Sequence, residues 1–278
     1  MSRHIVCLTF DFDVMTGFIA RGMTTPTPIS RGEFGLVAIP RILGLLRRYE
    51  IRATFFVPGV VIDMYPAACE QNVAAGHEIG HHGYTHVPPA SLSREREEDG
   101  LVRGNESIRR VCGKPARGYR SPSWDLSPHT VELLLQHGFV YESSMMGDDY
   151  MPYYARQGDQ IQLEEPCVWG ASTPLIEMPI SWSLDDYPHF EFVRTQSTVL
   201  PGLMNTHSVL QNWVDDFVYM QQILDWGVLT YTMHPYVIGR GHRMIMLERL
   251  IERLREGGAV FLSMEEAAGE FAERGEGR

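Results

Sequence analysis

The chain has a single lysine, Lys114; the rest of its basic charge is arginine. Lys and Arg total 24 against 35 Asp and Glu, a formal net charge of -11. That balance argues against a nucleic-acid partner, because gripping a phosphate backbone takes a clustered basic surface. The pairs Arg47-Arg48 and Arg109-Arg110 fall in helix-like stretches and read as solvated faces. Cysteine is also sparse. Cys7, Cys69, Cys112 and Cys167 show no CxxC pairing or finger-like spacing, which excludes a disulfide framework or a zinc finger. No stretch approaches the roughly 18 apolar residues that span a bilayer, so no membrane partner is expected. The opening M-S-R-H runs straight into Ile5-Val6-Cys7-Leu8-Thr9-Phe10, too short for the core of a secretory signal. A cytoplasmic location follows as the expectation. Internal repeats and low-complexity linkers are missing as well.

What is present suits a folded domain. With 278 residues, 44% of them hydrophobic, the chain can bury a substantial core. Residues 5–12 read as a strand, and a loop of about twenty residues, rich in Thr, Pro and Gly, follows. Helical spacing then covers Leu36 to Tyr49, and Ala53 to Val57 is a short buried strand stopped by Pro58-Gly59. Helices are expected over 66–75, 93–111, 127–137, 208–226 and 245–255, with a last one from Ser263 and a frayed tail after Glu270. Further short strands are expected at 78–80, 117–119, 175–178, 228–233 and 259–262. Residues 143–205 have no sustained period and read as an irregular insertion in a single domain over 1–278. Alternating short strands and helices predict an α/β fold with a parallel sheet or barrel. In such folds functional groups follow the carboxyl ends of strands. Asp11 and Asp13, His82 and His86, Arg120 and His234 all fall there, on separate strands.

Asp11 and Asp13 flank Phe12, and period two places both carboxylates on one side of an extended strand. Two charges so close repel unless a cation lies nearby. In G-H-E-I-G-H-H-G-Y-T-H, His82 and His86 are four apart, the spacing of a helical turn, so both rings can face one ion. His81 then points elsewhere, and His77 supports the strand end. Two His and one Asp make a three-ligand set that leaves positions open for water and substrate. Each motif alone is weak; together they describe one divalent metal, with zinc favoured by the donor types.

The elements T-F-D-F-D, G-H-E-I-G-H-H-G-Y-T-H, G-Y-R-S-P-S-W and L-T-Y-T-M-H resemble, in order and spacing, the motifs of the polysaccharide deacetylase superfamily. This is the NodB-homology or carbohydrate esterase 4 group, and the likeness runs over about residues 5–262. It is strongest to the intracellular branch of peptidoglycan-deacetylase-like, cyclic-imidase and allantoinase-like enzymes. The resemblance implies a distorted (β/α) barrel of about seven parallel strands. It implies Asp11 as general base, Asp13, His82 and His86 as metal ligands, Arg120 as the residue orienting the base, and His234 as general acid. Gly83 stands where Ser or Thr often follows the first metal histidine, and Tyr231 where Leu is usual, so the pocket wall is expected to differ. Asp185 or Asp186 would tune the acid histidine. Trp124, with Trp182 or Tyr187, would wall the substrate site, and a backbone N–H near Tyr119 would face the oxyanion. The loop 14–35 reads as a lid or subunit contact, and Met145 to Tyr150 as a pocket lining.

The expected function is metal-dependent hydrolysis of a non-peptide amide bond: N-deacetylation of an amino sugar or glycan-like substrate. Ring opening of a cyclic imide or ureide is the alternative, followed by a non-catalytic binding protein on the same scaffold. The expected partners are a small-molecule or oligosaccharide substrate and further copies of the chain, a tetramer among related intracellular enzymes.

Overall fold

The computed structural model describes residues 2–194 and 199–275. Its strands are β1 (Arg3–Asp11), β2 (Thr54–Val57), β3 (Glu78–His81), β4 (Gly118–Tyr119), β5 (Tyr141–Glu142), β6 (Tyr153–Gln157), β7 (Ala171–Glu177), β8 (Val193–Arg194), β9 (Val199–Leu200), β10 (Trp226–Met233) and β11 (Val260–Phe261). Nine of them form one sheet in the order β10-β1-β2-β3-β4-β5-β7-β6, with β11 paired to β1 beside β2. Every strand of that sheet is parallel except the edge strand β6. The short pair β8–β9 stands apart. The sheet curls into the expected distorted (β/α) barrel, with a gap between β10 and β6. Val228 N–H donates across that gap to Tyr150 O at 2.8 Å. The segment 145–150 therefore helps close the barrel and does not line the pocket.

The central strands are apolar because both faces are covered. In β1 every residue after Arg3 is buried, and β10 is buried throughout. The helix Arg94–Cys112 begins at Ser93, whose side chain accepts Arg96 N–H, and ends at Gly113 with φ 73°. Acids in its first turn and arginines in its last complement the helix dipole. The last helix, Met264–Arg274, opens with a reciprocal capping box between Ser263 and Glu266, and stays helical past Glu270.

Two stretches differ from expectation, and in both a proline opens a helix. Residues 14–35 are not a loop. They form a short helix, Thr16–Ala20, and the first half of a long one, Pro26–Arg48. Pro26 occupies its first position, where the missing N–H costs nothing. Likewise Pro58 caps a helix, Gly59–Met64, where a break was expected. The helix expected from Ser127 begins at Thr130, because Ser127 Oγ accepts His129 N–H in a preceding turn. In the irregular middle, β6 and β7 form an antiparallel ribbon. Among the described residues no helix is long and apolar enough to cross a membrane.

His77 braces the base of the sheet, as expected, by accepting Ala53 N–H on Nδ1 at 3.2 Å. Burial, aided by nearby Arg52, pushes its pKa down from 6.5 to about 4. Because the folded value lies below the unfolded one, this contribution is intact above pH 6.5. It is lost as pH falls toward 4, where the unfolded chain takes up the proton first. Urea midpoints should therefore fall between pH 7 and 4.5, and a His77→Gln variant should show a distinctly smaller fall. Equal falls in both proteins would contradict this assignment.

Candidate active site

The chemically active side chains meet at the carboxyl rim of the parallel strands. β1 ends at Asp11, and Phe12 N–H is still held by Phe56 O at 2.8 Å. Asp13 follows outside the strand. Its carbonyl accepts both Thr16 N–H and Thr16 Oγ–H, which pins the turn into the helix Thr16–Ala20. Phe12 packs away from the rim, its ring 3.5 Å from where a side chain on Gly35 would start, while both aspartates line the rim cavity.

β3 ends at His81, whose ring stays in the core: Nε2 lies 3.1 Å from Leu101 O, and Nδ1 accepts Gly83 N–H. His82 lines the cavity, and its Nδ1–H donates to Arg120 O at 2.7 Å, leaving Nε2 as the free nitrogen. His86 arrives through a loop and not a helical turn, with φ 61°. That corrects the helical-spacing argument, although the two rings still converge, their centroids 5.0 Å apart. Gly83 is explained by its own geometry: φ is 68°, and a β-carbon there would stand 3.0 Å from Pro122 Cγ. A Ser or Thr would not fit comfortably.

The three donors have the spacing of a metal site. Asp13 Oδ1 lies 3.4 Å from His82 Nε2, and Oδ2 lies 3.2 Å from His86 Nε2. Donors held at about 2.1 Å around a tetrahedral ion would stand roughly 3.4 Å apart. Asp13 Oδ1 is buried and has no hydrogen-bond partner. A carboxylate oxygen facing an imidazole nitrogen that has already spent its proton elsewhere is unfavourable without a cation between them. Burial raises the Asp13 pKa, but His86, His82 and His234 outweigh it and hold the carboxyl below the usual range. The donor set fits a divalent metal.

Asp11 and His234 stand on either side. Asp11 Oδ2 is 4.0 Å from His82 Nε2, while Oδ1 accepts from Arg120 Nη1 at 2.8 Å. Arg120 is fully buried and also donates to Thr9 Oγ1, Ser143 O and Ser143 Oγ. His234 follows β10 directly. Its Nε2 is 3.8 Å from Asp13 Oδ2, and its Nδ1 donates to Asp186 Oδ1 at 2.9 Å. Asp186 also accepts His234 N–H, so it is the hydrogen-bonded carboxylate of the two. Asp185 lies 3.5 Å from the ring and receives Tyr187 N–H. Burial alone would lower the His234 pKa, but Asp185, Asp186 and Asp13 lift it to about 10. Burial raises Asp185 to about 8, against the pull of His234. The adjoining carboxylates thus favour the protonated form of His234.

The cavity over these groups is small, about 110 Å³. Trp124 and Trp182 stack at 4.0 Å to form one wall, and Tyr187, Tyr236, Arg21 and Gly17 complete it. A larger cavity, about 740 Å³, lies at the opposite rim beside Pro40 and His77, where the described residues offer no metal-ligating cluster. Tyr119 is not in the active cavity; its ring packs on His81 and Phe139, and its backbone is a mid-sheet pairing partner of His81. Tyr231 is buried as well, its hydroxyl on Trp213 O, and so walls nothing. Arg21 and Gly17 carry no sequence signal, since they lie in a short helix and its cap within a stretch that reads as a loop, and Tyr236 lies in a short helix after β10 with no motif of its own.

Residues 2–141 match the family model for polysaccharide deacetylase. A peptidoglycan deacetylase of Helicobacter pylori is 36% identical, over 99% of this chain and 98% of its own length. A Mycobacterium smegmatis crystal structure assigned as a polysaccharide deacetylase superposes with TM-score 0.83 at 29% identity, covering 98% of this chain and 91% of that one. The chain belongs to the polysaccharide deacetylase family, and that membership supports a hydrolase acting on carbon–nitrogen bonds. The Puue allantoinase structure shares the fold, with TM-score 0.78 at 19% identity, covering 96% of this chain and 89% of that one.

Metal analysis by mass spectrometry should find about one zinc per chain after loading and dialysis. His86→Ala or Asp13→Ala should remove most of it, whereas Asp11→Asn should keep it. Full occupancy in the first two variants would refute the ligand set.

Proposed function

We propose that the chain is a single metal-dependent amidase domain that removes the acetyl group of an N-acetylated amino sugar. One observation carries the reading: a three-donor metal set with an arginine-held carboxylate on one side and a carboxylate-held histidine on the other. The amino-sugar substrate is supported by the 36% identity to a protein named peptidoglycan deacetylase along essentially the whole chain. A divalent metal held by Asp13, His82 and His86, zinc being favoured, would supply Lewis acidity toward the carbonyl and toward water.

The chain's own groups divide the remaining work. Asp11 is the base that takes a proton from the attacking water, and Arg120 fixes its orientation through a buried 2.8 Å contact. His234 is the acid. Its hydrogen bond to Asp186 favours the protonated ring, and it delivers that proton to the departing nitrogen. An amide requires such a donor, since an amide anion is a poor leaving group. A cavity of about 110 Å³ suits an acetyl group, while Trp124 and half-exposed Trp182 offer a ring-sized apolar face at the mouth.

A second reading keeps the same chemistry but takes a cyclic imide or ureide. It is favoured by the compactness of the cavity, which Arg21 and Tyr187 close by a 2.5 Å contact.

Zinc-loaded protein assayed on acetylated chito-oligosaccharides, succinimide, hydantoin and allantoin separates the two. Acetate release supports the first reading and ring opening the second, and no turnover of any of them would sink both. In the active assay, Asp11→Asn and His234→Asn should each lower kcat by about 10²- to 10⁴-fold.

A further inference from the structure

The cavity contains a cation that catalysis does not use. Arg21 closes the turn after the helix Thr16–Ala20, immediately behind Asp13. Its N–H bonds Phe18 O at 3.1 Å, Met23 N–H bonds the same carbonyl, and the Phe18 ring is buried, so the backbone here is anchored. The guanidinium is anchored too: Nη1 donates to the Tyr187 hydroxyl at 2.5 Å, and its carbon sits 5.4 Å from the centre of that ring. Tyr187 in turn has its N–H on Asp185 Oδ1 and its ring 5.3 Å from that of His234. Contacts therefore run from Arg21 through Tyr187 to His234.

Arg120, the other arginine at the site, is buried with its charge matched by Asp11. Arg21 differs. Among the described residues it has no carboxylate in ion-pair contact, and its hydrogen-bonding fork is occupied only by a neutral phenol. A pre-oriented guanidinium with donors to spare matches a planar carboxylate, which it can grip with two parallel hydrogen bonds. Its position also says which part of the substrate bears that group. His234 is the side of the site where the nitrogen departs, so a group held one ring away belongs to the amine-bearing fragment and not to the acyl group.

We infer that Arg21 selects substrates whose amine-bearing fragment carries a carboxylate a few bonds from the scissile nitrogen. This deepens the amidase reading and rests on His234 being the acid. Two sources offer that chemistry: an amino sugar bearing an acidic ether, and an N-acyl amino acid. Charge-assisted pairing should favour the acidic member of a matched pair about ten- to a hundredfold.

The test uses zinc-loaded full-length protein and two matched pairs: N-acetylmuramic acid against N-acetylglucosamine, and N-acetylglycine against N-ethylacetamide. Affinity is measured by calorimetry in an Asp11→Asn background, and kcat/KM with Asp11 restored. The expected result is at least a tenfold preference for the acid in one pair, reduced to near parity in Arg21→Gln and partly regained in Arg21→Lys. The pair that shows it identifies the source. Absence of preference in both pairs, including no binding at all, overturns the inference, as does a preference that survives Arg21→Gln. If the Arg21-dependent binding preference appears while no acetate is released, the carboxylate site stands and the deacetylase reading fails. If acetate is released from both members of each pair at equal rates, the reverse holds.

Discussion

A guanidinium with no exposed surface ties the active rim together. Arg120 stands just past β4, yet it bonds Thr9 and Asp11 of β1 and both the backbone and hydroxyl of Ser143 after β5. It lies 4.2 Å from the Phe56 ring of β2, and its carbonyl orients His82 after β3. One side chain and its own carbonyl thereby register five neighbouring strands. A charge buried so deeply is tolerable only when paired and hydrogen-bonded, and removing one partner typically costs about 3–5 kcal/mol. Asp11 supplies the counter-charge, so the group proposed as base is also the group that makes Arg120 tolerable. Fold and chemistry share that constraint.

The opposite wall follows the same logic with the sign reversed. Asp185 and Asp186 are buried carboxylates, and His234 between them is the cation that offsets their burial. Between the two balanced pairs lies Asp13, facing two histidines and lacking a hydrogen-bond partner for Oδ1. Local backbone strain gathers here as well. Of the six non-glycine residues with positive φ among those described, Val14, His86, Ser123 and Trp124 adjoin or form the site. Each such conformation costs on the order of 1 kcal/mol or more and persists only where the surroundings impose it.

Much of this was legible in the sequence because it depends on local patterns. The rim positions of Asp11, Asp13, His82, Arg120 and His234 follow from strand ends, and the capping residues Ser93 and Ser263 announce their helices. What was not legible depends on context. Pro26 and Pro58 are equally good helix starters and helix breakers, and only packing decided between them. The segment carrying Gly17 and Arg21 is a single five-residue helix and its cap, too short for any periodicity to show. The HxxxH spacing suggested a helix, but Gly83 and His86 adopt left-handed backbone that no periodicity reveals. Tyr119 and Tyr231 sit within motif segments, yet β-strand alternation turns them into the core. The choice between Asp185 and Asp186 required a hydrogen bond of 2.9 Å to His234, which adjacent identical residues cannot encode.

The described residues offer two clusters able to hold an ion, Asp13 with His82 and His86, and Asp185 with Asp186 and His234. Only the first leaves His234 free to act as an acid. Anomalous diffraction at the zinc edge from metal-soaked crystals decides between them. The account predicts one peak within about 2.0–2.2 Å of an Asp13 carboxylate oxygen and the Nε2 atoms of His82 and His86. A peak at His234 Nδ1 between the two aspartates, with none at Asp13, would contradict it.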